Sequence, residues 1–294
     1  MSELPATEGL DASTARIDRL DDVALARMLV EAHRIAIDAS LAAADDIARA
    51  TALVVDAIER GGRIVLVGAG TSGRLAVLDA SELPPTFGVD PSLVEARIAG
   101  GDAALRRAIE GAEDDADAGV RAVADVAAND VVIGISASGG APFVRAALRA
   151  ARERGARTVC IVNAPSGVLA READVGIVAA TGAEPIQGST RMRAGTAQKI
   201  VLNAISTGAM IRLGKTYGNR MIDLVATNAK LRARSERLVR ELAGTDADAR
   251  ALLDAAGGSV KTAVVMARRG VDREAAERLL RGARGRIAQV IDED

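Results

Sequence analysis

The sequence predicts an α/β fold built on one parallel sheet of five strands, and three observations support this prediction. The chain has mostly apolar runs of strand length at 63–67, 93–98, 131–135, 157–162 and 174–178. They alternate with helical patterns at 72–81, 102–127, 140–154 and 166–172. Since the runs are apolar along their length and not only at alternate positions, we expect strands buried on both faces, in three layers with helices outside.

Helical patterns also flank the predicted sheet. A polar arm at 1–15 leads into apolar residues at helical spacing up to about Arg60. After the sheet, we expect long helices at 190–214 and 217–242, then a bundle of three short helices at 246–294, separated at Gly257-Gly258 and Gly270. The expected parts are N-terminal helices that pack on the sheet domain, the sheet domain itself and a small helical subdomain, at 1–60, 61–243 and 244–294.

Composition and charge limit the class of protein. The 294 residues are 49% hydrophobic but only 1% aromatic, so the core must consist of small aliphatic side chains. A net charge of −2 and scattered basic residues argue against a nucleic-acid partner. Residues 1–30 lack the basic and then apolar pattern of a secretory signal, so we expect none; no apolar stretch reaches membrane length, and the single Cys160 allows no internal disulfide. We therefore expect a cytoplasmic protein without a membrane partner.

Two hydroxyl-rich loops follow predicted strands. GAGTSGR at 68–74 contains Thr71 and Ser72, and GISASGG at 134–140 contains Ser136, Ser138, Gly139 and Gly140. A strand, a glycine-rich turn and a helix together present backbone N–H groups to an anion. Two such loops indicate a pocket for a phosphorylated ligand with hydroxyl groups, such as a sugar phosphate.

The first loop also fits the dinucleotide-binding pattern G-x-G-x-x-G. That pattern requires an acidic residue at the end of the next strand, about 20 residues on. Here that stretch reads SELPPT at 81–86, and Glu95 lies in the middle of the following run. The sugar-phosphate interpretation is favoured, and a nucleotide stays open as the alternative.

Longer motifs carry a family resemblance. They are GAGTSGRLAVLDASELPPTFG at 68–88, EGAEDD at 110–115, EPIQGSTRMRAGTAQK at 184–199 and DLVATNAK at 223–230. In this order the chain resembles, over nearly its whole length, the N-acetylmuramic acid 6-phosphate etherase family of the sugar isomerase (SIS) superfamily. The resemblance implies a flavodoxin-like sheet, a homodimer and a carbon–oxygen lyase of cell-wall recycling. It implies cleavage of the D-lactyl ether without a cofactor, by elimination and then addition of water.

The resemblance also assigns two carboxyl groups to catalysis. It implies that Glu82 is the proton donor and Glu113 the second carboxylate, with Glu110 as the fallback. Taken alone, Glu82 is more typical of a solvated residue at a helix end than of a catalytic group, and Glu113 belongs to an acidic run typical of a solvated surface.

The residue types in the loops suggest the substrate contacts, since hydroxyl groups and the amides at helix N-termini bind phosphate. Ser136, Ser138, Gly139 and Gly140 would hold the phosphate, although relatives often have Thr in place of Ala141. Thr71 and Ser72 would contact sugar hydroxyls. Ser189, Thr190 and Arg191 would cap the helix that begins near 190, and Arg191 would pair with the phosphate or the lactyl carboxylate.

The other candidate residues have structural interpretations. His33, the only histidine, lies in a helical pattern, so a histidine-based metal site is not expected. Cys160 lies in a strand, and 163–166 is taken as a turn. An apolar helix at 196–211 favours a dimer. Two alternative functions remain: a sugar-phosphate isomerase, and a regulator that binds sugar phosphates without turnover.

Overall fold

A computed structural model of the chain describes residues 5–223, 229–244 and 248–292. Its central sheet has five parallel strands, β1 (Ile64–Gly68), β2 (Val94–Ile98), β3 (Val131–Ser136), β4 (Arg157–Val162) and β5 (Val175–Val178). The order is β2-β1-β3-β4-β5. This is the flavodoxin-like order, and the predicted fold class is confirmed.

The register of the sheet brings the ends of β1 and β3 together. Gly68 lies opposite Ile135 of β3 and opposite Ile98 of β2. Strand β2 pairs with one edge of β1, and β3 pairs with its other edge. The direction in which strands are added to the sheet therefore reverses at β1. Ligands of open parallel sheets bind at the carboxyl ends of the strands, at such a reversal.

Helices before the sheet, between its strands and directly after it surround the sheet. They are α1 (Asp22–Glu31), α2 (Arg34–Ala42), α3 (Ala44–Glu59), α4 (Gly70–Phe87), α5 (Ala116–Ala122), α6 (Pro142–Glu153), α7 (Leu169–Glu172) and α8 (Arg193–Arg212). Short 3-10 turns at Ala6–Glu8, Ala12–Thr14 and Ile17–Arg19 form the arm. Val65, Val132 and Val144 belong to one buried core formed by strands and helices of this part.

Past α8, the chain forms a short hairpin and helices. The hairpin pairs β6 (Thr216–Tyr217) with β7 (Arg220–Met221). The helices are α9 (Ala229–Ala243), α10 (Ala249–Ala255), α11 (Val260–Arg269), α12 (Arg273–Gly282) and α13 (Ala288–Ile291). Their core includes Val239, Val264 and Ala276, all fully buried.

The chain forms two compact units. The first comprises 1–80 and 92–206, and the second comprises 81–91 and 207–294. Such units are defined by contacts, whereas domains are defined by independent folding. The three-part organisation expected from the sequence therefore stays a prediction.

Two predicted helices differ from the structure in the first half of the chain. The pattern up to Arg60 forms three helices, because the chain breaks at Ala32-His33 and at Ala43; the Ala32 carbonyl accepts a hydrogen bond from Arg193 Nε. Most of 102–127 is not α-helical. The left-handed Gly111 (φ 73°) interrupts it, and α5 is its only α-helix.

Further differences lie at the ends of helices. Helix α4 continues to Phe87 through Pro84 and Pro85, where the sequence predicted a break, and the N–H of Gly88 donates to the Pro84 carbonyl. The predicted helix at 217–242 is wrong in its first residues, because Thr216–Tyr217 and Arg220–Met221 form the hairpin, and helix α9 is described from Ala229 on. Where three short helices were expected after 246, the described residues form four, and the predicted breaks at Gly257-Gly258 and Gly270 are present. Of the DLVATNAK motif, 224–228 lie outside the described residues.

Over the described ranges, we find no helix with both the length and the apolar character that crossing a bilayer requires.

Candidate functional site

Two neighbouring loops define the candidate site. We call residues 68–74 loop one and residues 136–140 loop two. Loop one follows β1 and loop two follows β3, and the two strands pair in parallel along their length. Both loops therefore begin at the same edge of the sheet, at the reversal of strand order.

Loop one turns tightly into α4. Gly70, the first residue of the helix, has a left-handed backbone (φ 53°). Gly73 packs closely, since a Cβ atom there would lie 2.7 Å from the Gly68 carbonyl oxygen and 2.5 Å from Ile98 Cγ1. Only glycine fits at 73 without moving the strand or its neighbour.

Loop two presents hydroxyl groups with protons to donate. Ser136 Oγ accepts a hydrogen bond from the N–H of Gly139 at 3.1 Å, and Ser138 Oγ accepts from Gly140 at 3.2 Å. The two oxygens lie 3.5 Å apart. At this distance one serine can donate to the other, which leaves at least one hydroxyl proton of the pair for an anionic ligand.

The helix that follows loop two begins at Pro142, with the buried Ala141 as its N-cap and no capping side chain. The side chain of Ser138 therefore does not cap this helix.

Ser72 of loop one has a different environment from the serines of loop two. It is buried, and its Oγ donates to Gln198 Oε1 at 2.9 Å. Gln198 Nε2 donates to Asn163 Oδ1, also at 2.9 Å. Asn163 Nδ2 donates in turn to the carbonyl oxygen of Ala179 at 2.9 Å. This chain of hydrogen bonds links loop one to α8 and to the segments after β4 and β5.

The start of α8 is capped by Glu184. Its fully buried carboxylate accepts from the N–H groups of Arg193 and Ala194 at 2.8 and 2.9 Å. Ser189, Thr190 and Arg191 precede the helix, which begins at Arg193, and the carbonyl oxygen of Thr190 accepts from the N–H of Gly195 at 2.9 Å. Ser189 and Thr190 are half-buried and Arg191 is exposed. A carboxylate is favourable here because the first amides of a helix lack partners and carry partial positive charge.

Arg193 ties the arm to this region. Its guanidinium lies 2.8 Å from Asp11 Oδ2 and also donates to the Ala183 carbonyl. The hydrogen bond from Ser13 to Asp11, and next the backbone N–H of Ser13 and Arg193, hold the pKa of that carboxyl below its usual range.

The two candidate catalytic carboxylates lie in different compact units. Glu82 is exposed, on α4, in the second unit. Glu113 lies in a 3-10 turn (Ala112–Asp114) of the first unit. Its residue surface is exposed, but neighbouring atoms exclude part of the solvent around its carboxyl group. This partial desolvation, followed by the charge of Asp114, raises the pKa of Glu113. Glu110, the fallback, is exposed.

A further buried acid lies three residues before Glu82. Asp79 Oδ1 accepts from Asn203 Nδ2 at 2.6 Å and from Ser206 Oγ at 3.2 Å. Burial raises the pKa of Asp79, although both hydrogen bonds oppose the shift. Asp79 thus joins α4 to α8 within the first unit.

The remaining candidates have structural surroundings. His33 lies at the break between α1 and α2 rather than inside a long helix, and its Nδ1 is 2.7 Å from Thr196 Oγ1. Burial raises the pKa of the Cys160 thiol to about 12. Across the described part of the chain, no three His, Cys, Asp or Glu side chains are grouped as a metal site requires.

The sequence interpretation missed three of these residues. Gln198 and Glu184 lie inside the motif quoted for the resemblance, but nothing in their spacing distinguishes them from surface residues. Asn163 was taken as part of a turn. Its position directly after β4 was the available signal, because the carboxyl ends of parallel strands share one edge.

Family models identify an SIS domain in the part of the chain that forms the sheet and its two hydroxyl-bearing loops. The SIS domain model matches residues 110–207, and the model of the glucokinase regulatory protein N-terminal SIS domain matches residues 46–152. Two solved structures share the fold. A phosphoheptose isomerase from Francisella tularensis has a TM-score of 0.51 and 18% identity, over 65% of this chain and 100% of that one. A sugar-phosphate isomerase from Listeria monocytogenes, described as putative, has a TM-score of 0.50 and 16% identity, over 67% and 94%.

Curated relatives are much more similar. N-acetylmuramic acid 6-phosphate etherase of Deinococcus radiodurans is 47% identical over 100% of this chain and 97% of the relative. Those of Symbiobacterium thermophilum and Escherichia fergusonii are 49% and 44% identical, over 90% and 98% of this chain and 89% and 98% of the relatives. The chain belongs to the N-acetylmuramic acid 6-phosphate etherase family, as the motifs predicted.

Proposed function

We propose that this protein cleaves the D-lactyl ether of N-acetylmuramic acid 6-phosphate, giving N-acetylglucosamine 6-phosphate and D-lactate. The proposal places it in the cytoplasm, in the recycling of cell-wall amino sugars. The observation that carries the proposal is identity of 44–49% to etherases along nearly the whole chain.

The chemistry follows from the position of the ether. In the ring-opened sugar, the C2 hydrogen is α to the aldehyde and the lactyl oxygen on C3 is β to it. A base removes the C2 proton, the electron pair forms the C2–C3 double bond, and the lactyl oxygen leaves with a proton from an acid. Water then adds its oxygen to C3, and C2 regains a proton. The sequence of steps is redox-neutral and needs acid–base groups alone.

Two carboxyl groups are proposed for these proton transfers, with Glu82 protonating the leaving oxygen and Glu113 acting as the base. The raised pKa of Glu113 supports the second role, because a carboxylate becomes a stronger base as its pKa approaches the working pH. General acid–base groups contribute about 10²- to 10⁴-fold each.

The two loops are proposed to divide the ligand between them. Loop two brings the hydroxyls of Ser136 and Ser138 together beside the backbone of Gly139 and Gly140, with at least one hydroxyl proton left to donate, so it suits the phosphate. Thr71 and Ser72 of loop one are then left for the sugar. Ser189, Thr190 and the exposed Arg191 are proposed as further contacts, with Arg191 pairing with an anionic group.

The proposal includes a homodimer, although the reason differs from the one that the sequence suggested. The large apolar residues of α8 are mostly buried, Val201, Leu202 and Ile205 among them. Instead, Val30 on α1 and Leu41 on α2 are 72% and 68% exposed. Val23 and Ile37, one or two turns away on the same helices, are also exposed. Exposed apolar side chains on neighbouring helices favour association with a second copy.

The test is incubation of the purified protein with N-acetylmuramic acid 6-phosphate and an assay of free D-lactate. Release is expected, at the same rate with EDTA or with added nicotinamide nucleotides. An aldose–ketose conversion without lactate would identify an isomerase instead. Binding of sugar phosphates without any turnover would identify a regulator.

A further inference from the structure

The proton of the Ser72 hydroxyl is assigned by the hydrogen bonds behind it. A backbone carbonyl can only accept, so the Ala179 oxygen requires the Nδ2 group of Asn163 as donor. The Oδ1 of Asn163 then faces Gln198 and accepts a hydrogen bond from its Nε2. The remaining Oε1 of Gln198 can only accept, so it takes the proton of Ser72.

Burial makes this direction costly to reverse. Asn163 is 0% and Gln198 1% exposed, so water does not replace a lost partner. Rotating either amide by half a turn would oppose two acceptors or two donors at 2.9 Å. An unsatisfied buried polar group costs about 1–3 kcal/mol. The order of donors and acceptors is therefore fixed from the Ala179 carbonyl to the Ser72 hydroxyl.

We propose that Gln198 and Asn163 are positioning residues that fix Ser72 as a hydrogen-bond acceptor toward the ligand. This inference rests on the proposed sugar-phosphate site and deepens it. With its proton committed, Ser72 receives a hydrogen bond from a hydroxyl or amide N–H of the sugar. It repels a phosphate dianion, which has only acceptors.

The contrast with loop two gives the ligand one orientation. Ser136 and Ser138 accept from the backbone and have at least one of their two hydroxyl protons left for an anion, whereas Ser72 gives its proton to the protein. A sugar phosphate bound backward would place its phosphate against an acceptor and its hydroxyls against donors. The two loops thus read opposite ends of the same molecule.

The test uses calorimetric titration with two probes, N-acetylglucosamine 6-phosphate and inorganic phosphate. Gln198→Met conserves volume and releases the Ser72 proton. We expect the Kd of the sugar phosphate to rise about tenfold and that of inorganic phosphate to stay within about twofold. If Gln198→Met does not fold, Asn163→Leu disrupts the same chain of hydrogen bonds from the other end.

A double-mutant cycle separates this role from a structural one. If Gln198 acts through Ser72, then Ser72→Ala combined with Gln198→Met weakens sugar-phosphate binding no more than Ser72→Ala alone. Thr158→Val is the matched control, because it removes buried hydrogen bonds to Asp174 at the opposite end of β4. It should leave both Kd values unchanged.

Additive effects in the cycle, or equal weakening for both probes, would overturn the inference while leaving the etherase proposal intact. Failure of the wild-type protein to release D-lactate would reject the proposed function, yet the binding cycle would still decide the role of Gln198. If the wild-type protein binds no sugar phosphate, both proposals are wrong.

Discussion

Individual residues of the proposed site differ in how they can handle a proton. Ser72 has committed its proton, the pair of Ser136 and Ser138 retains at least one, and Glu113 holds its proton more tightly than an ordinary glutamate. These differences arise from neighbouring groups and partial burial, not from the residue types. They lead to two predictions about the catalytic carboxylates.

The first prediction concerns Glu82. Glu82→Gln keeps the shape of the side chain but removes the acidic proton, so we expect D-lactate release to fall at least about 100-fold. Binding of N-acetylglucosamine 6-phosphate should persist, as measured by calorimetry. Glu153→Gln, at an exposed glutamate that ends α6, is the control and should keep full activity. Turnover near the wild-type rate in Glu82→Gln would reject the assignment.

The second prediction concerns pH. Asp114 contributes to the raised pKa of Glu113, so Asp114→Asn should lower that pKa toward its usual value. A base must be ionised to act, and activity is lost as the pH falls through its pKa. We therefore expect the acid limb of the kcat/KM profile to move to lower pH.

Asp117→Asn, an exposed change two residues beyond Asp115, is the control for the pH profile and should not move it. Movement of the alkaline limb in Asp114→Asn would mean that Glu113 acts in its protonated form. An unmoved profile would exclude Glu113 from the titrating groups.

At this scale the sequence was informative only in part. The serines of both loops could be found because hydroxyl-rich turns after apolar strands are unusual. Gln198 and Asn163 could not, since an amide becomes significant only when the fold buries it against a particular partner. The capping role of Glu184 was missed for the same reason, because nine residues separate it from the first amide that it binds.

The elements between the strands depend on close helix contacts. Gly119 of α5 packs against the first turn of α6, where a Cβ atom would lie 2.1 Å from the Phe143 carbonyl oxygen. The backbone of α6 cannot yield without moving loop two, which directly precedes it. This contact gives an element-scale prediction.

Gly119→Ala should lower the free energy of unfolding by about 1–3 kcal/mol, the usual range for overpacking. The measurement is urea unfolding followed by circular dichroism. Gly282→Ala is the control, because nothing lies within 4 Å of its added Cβ. That helical substitution should be neutral or stabilise by up to about 1 kcal/mol. Equal stability of the two variants would show that α5 shifts freely against α6.

Strands were easier to predict than helices in this chain. All five strands lie within one residue of their predicted bounds, because buried parallel strands are recognisable by their apolar character alone. The prediction of one helix over 102–127 was wrong. Its Ala and acidic residues favour a helix, but Gly111 interrupts the segment. At Pro84 and Pro85 the sequence predicted that the helix ends, but α4 continues through both prolines although they lack N–H groups.

At the scale of the whole molecule, we predict a dimer. One chain has a mass of 30.2 kDa, so sedimentation at micromolar concentration should give about twice that value. Val30→Asp with Leu41→Asp should dissociate it, because each change places a charge on the exposed apolar surface. Leu279→Asp, at an exposed position on α12, should leave the dimer intact. An active monomer of the unaltered chain would show that association is not needed.

The central claim is that this chain removes lactate by elimination and then adds water at C3. The most direct test is to run the reaction in water enriched in both ¹⁸O and deuterium and to analyse both products by mass spectrometry and NMR. We predict ¹⁸O on C3 and deuterium on C2 of N-acetylglucosamine 6-phosphate, and D-lactate that carries no solvent oxygen. Solvent oxygen in the lactate, or a product without deuterium at C2, would contradict the account.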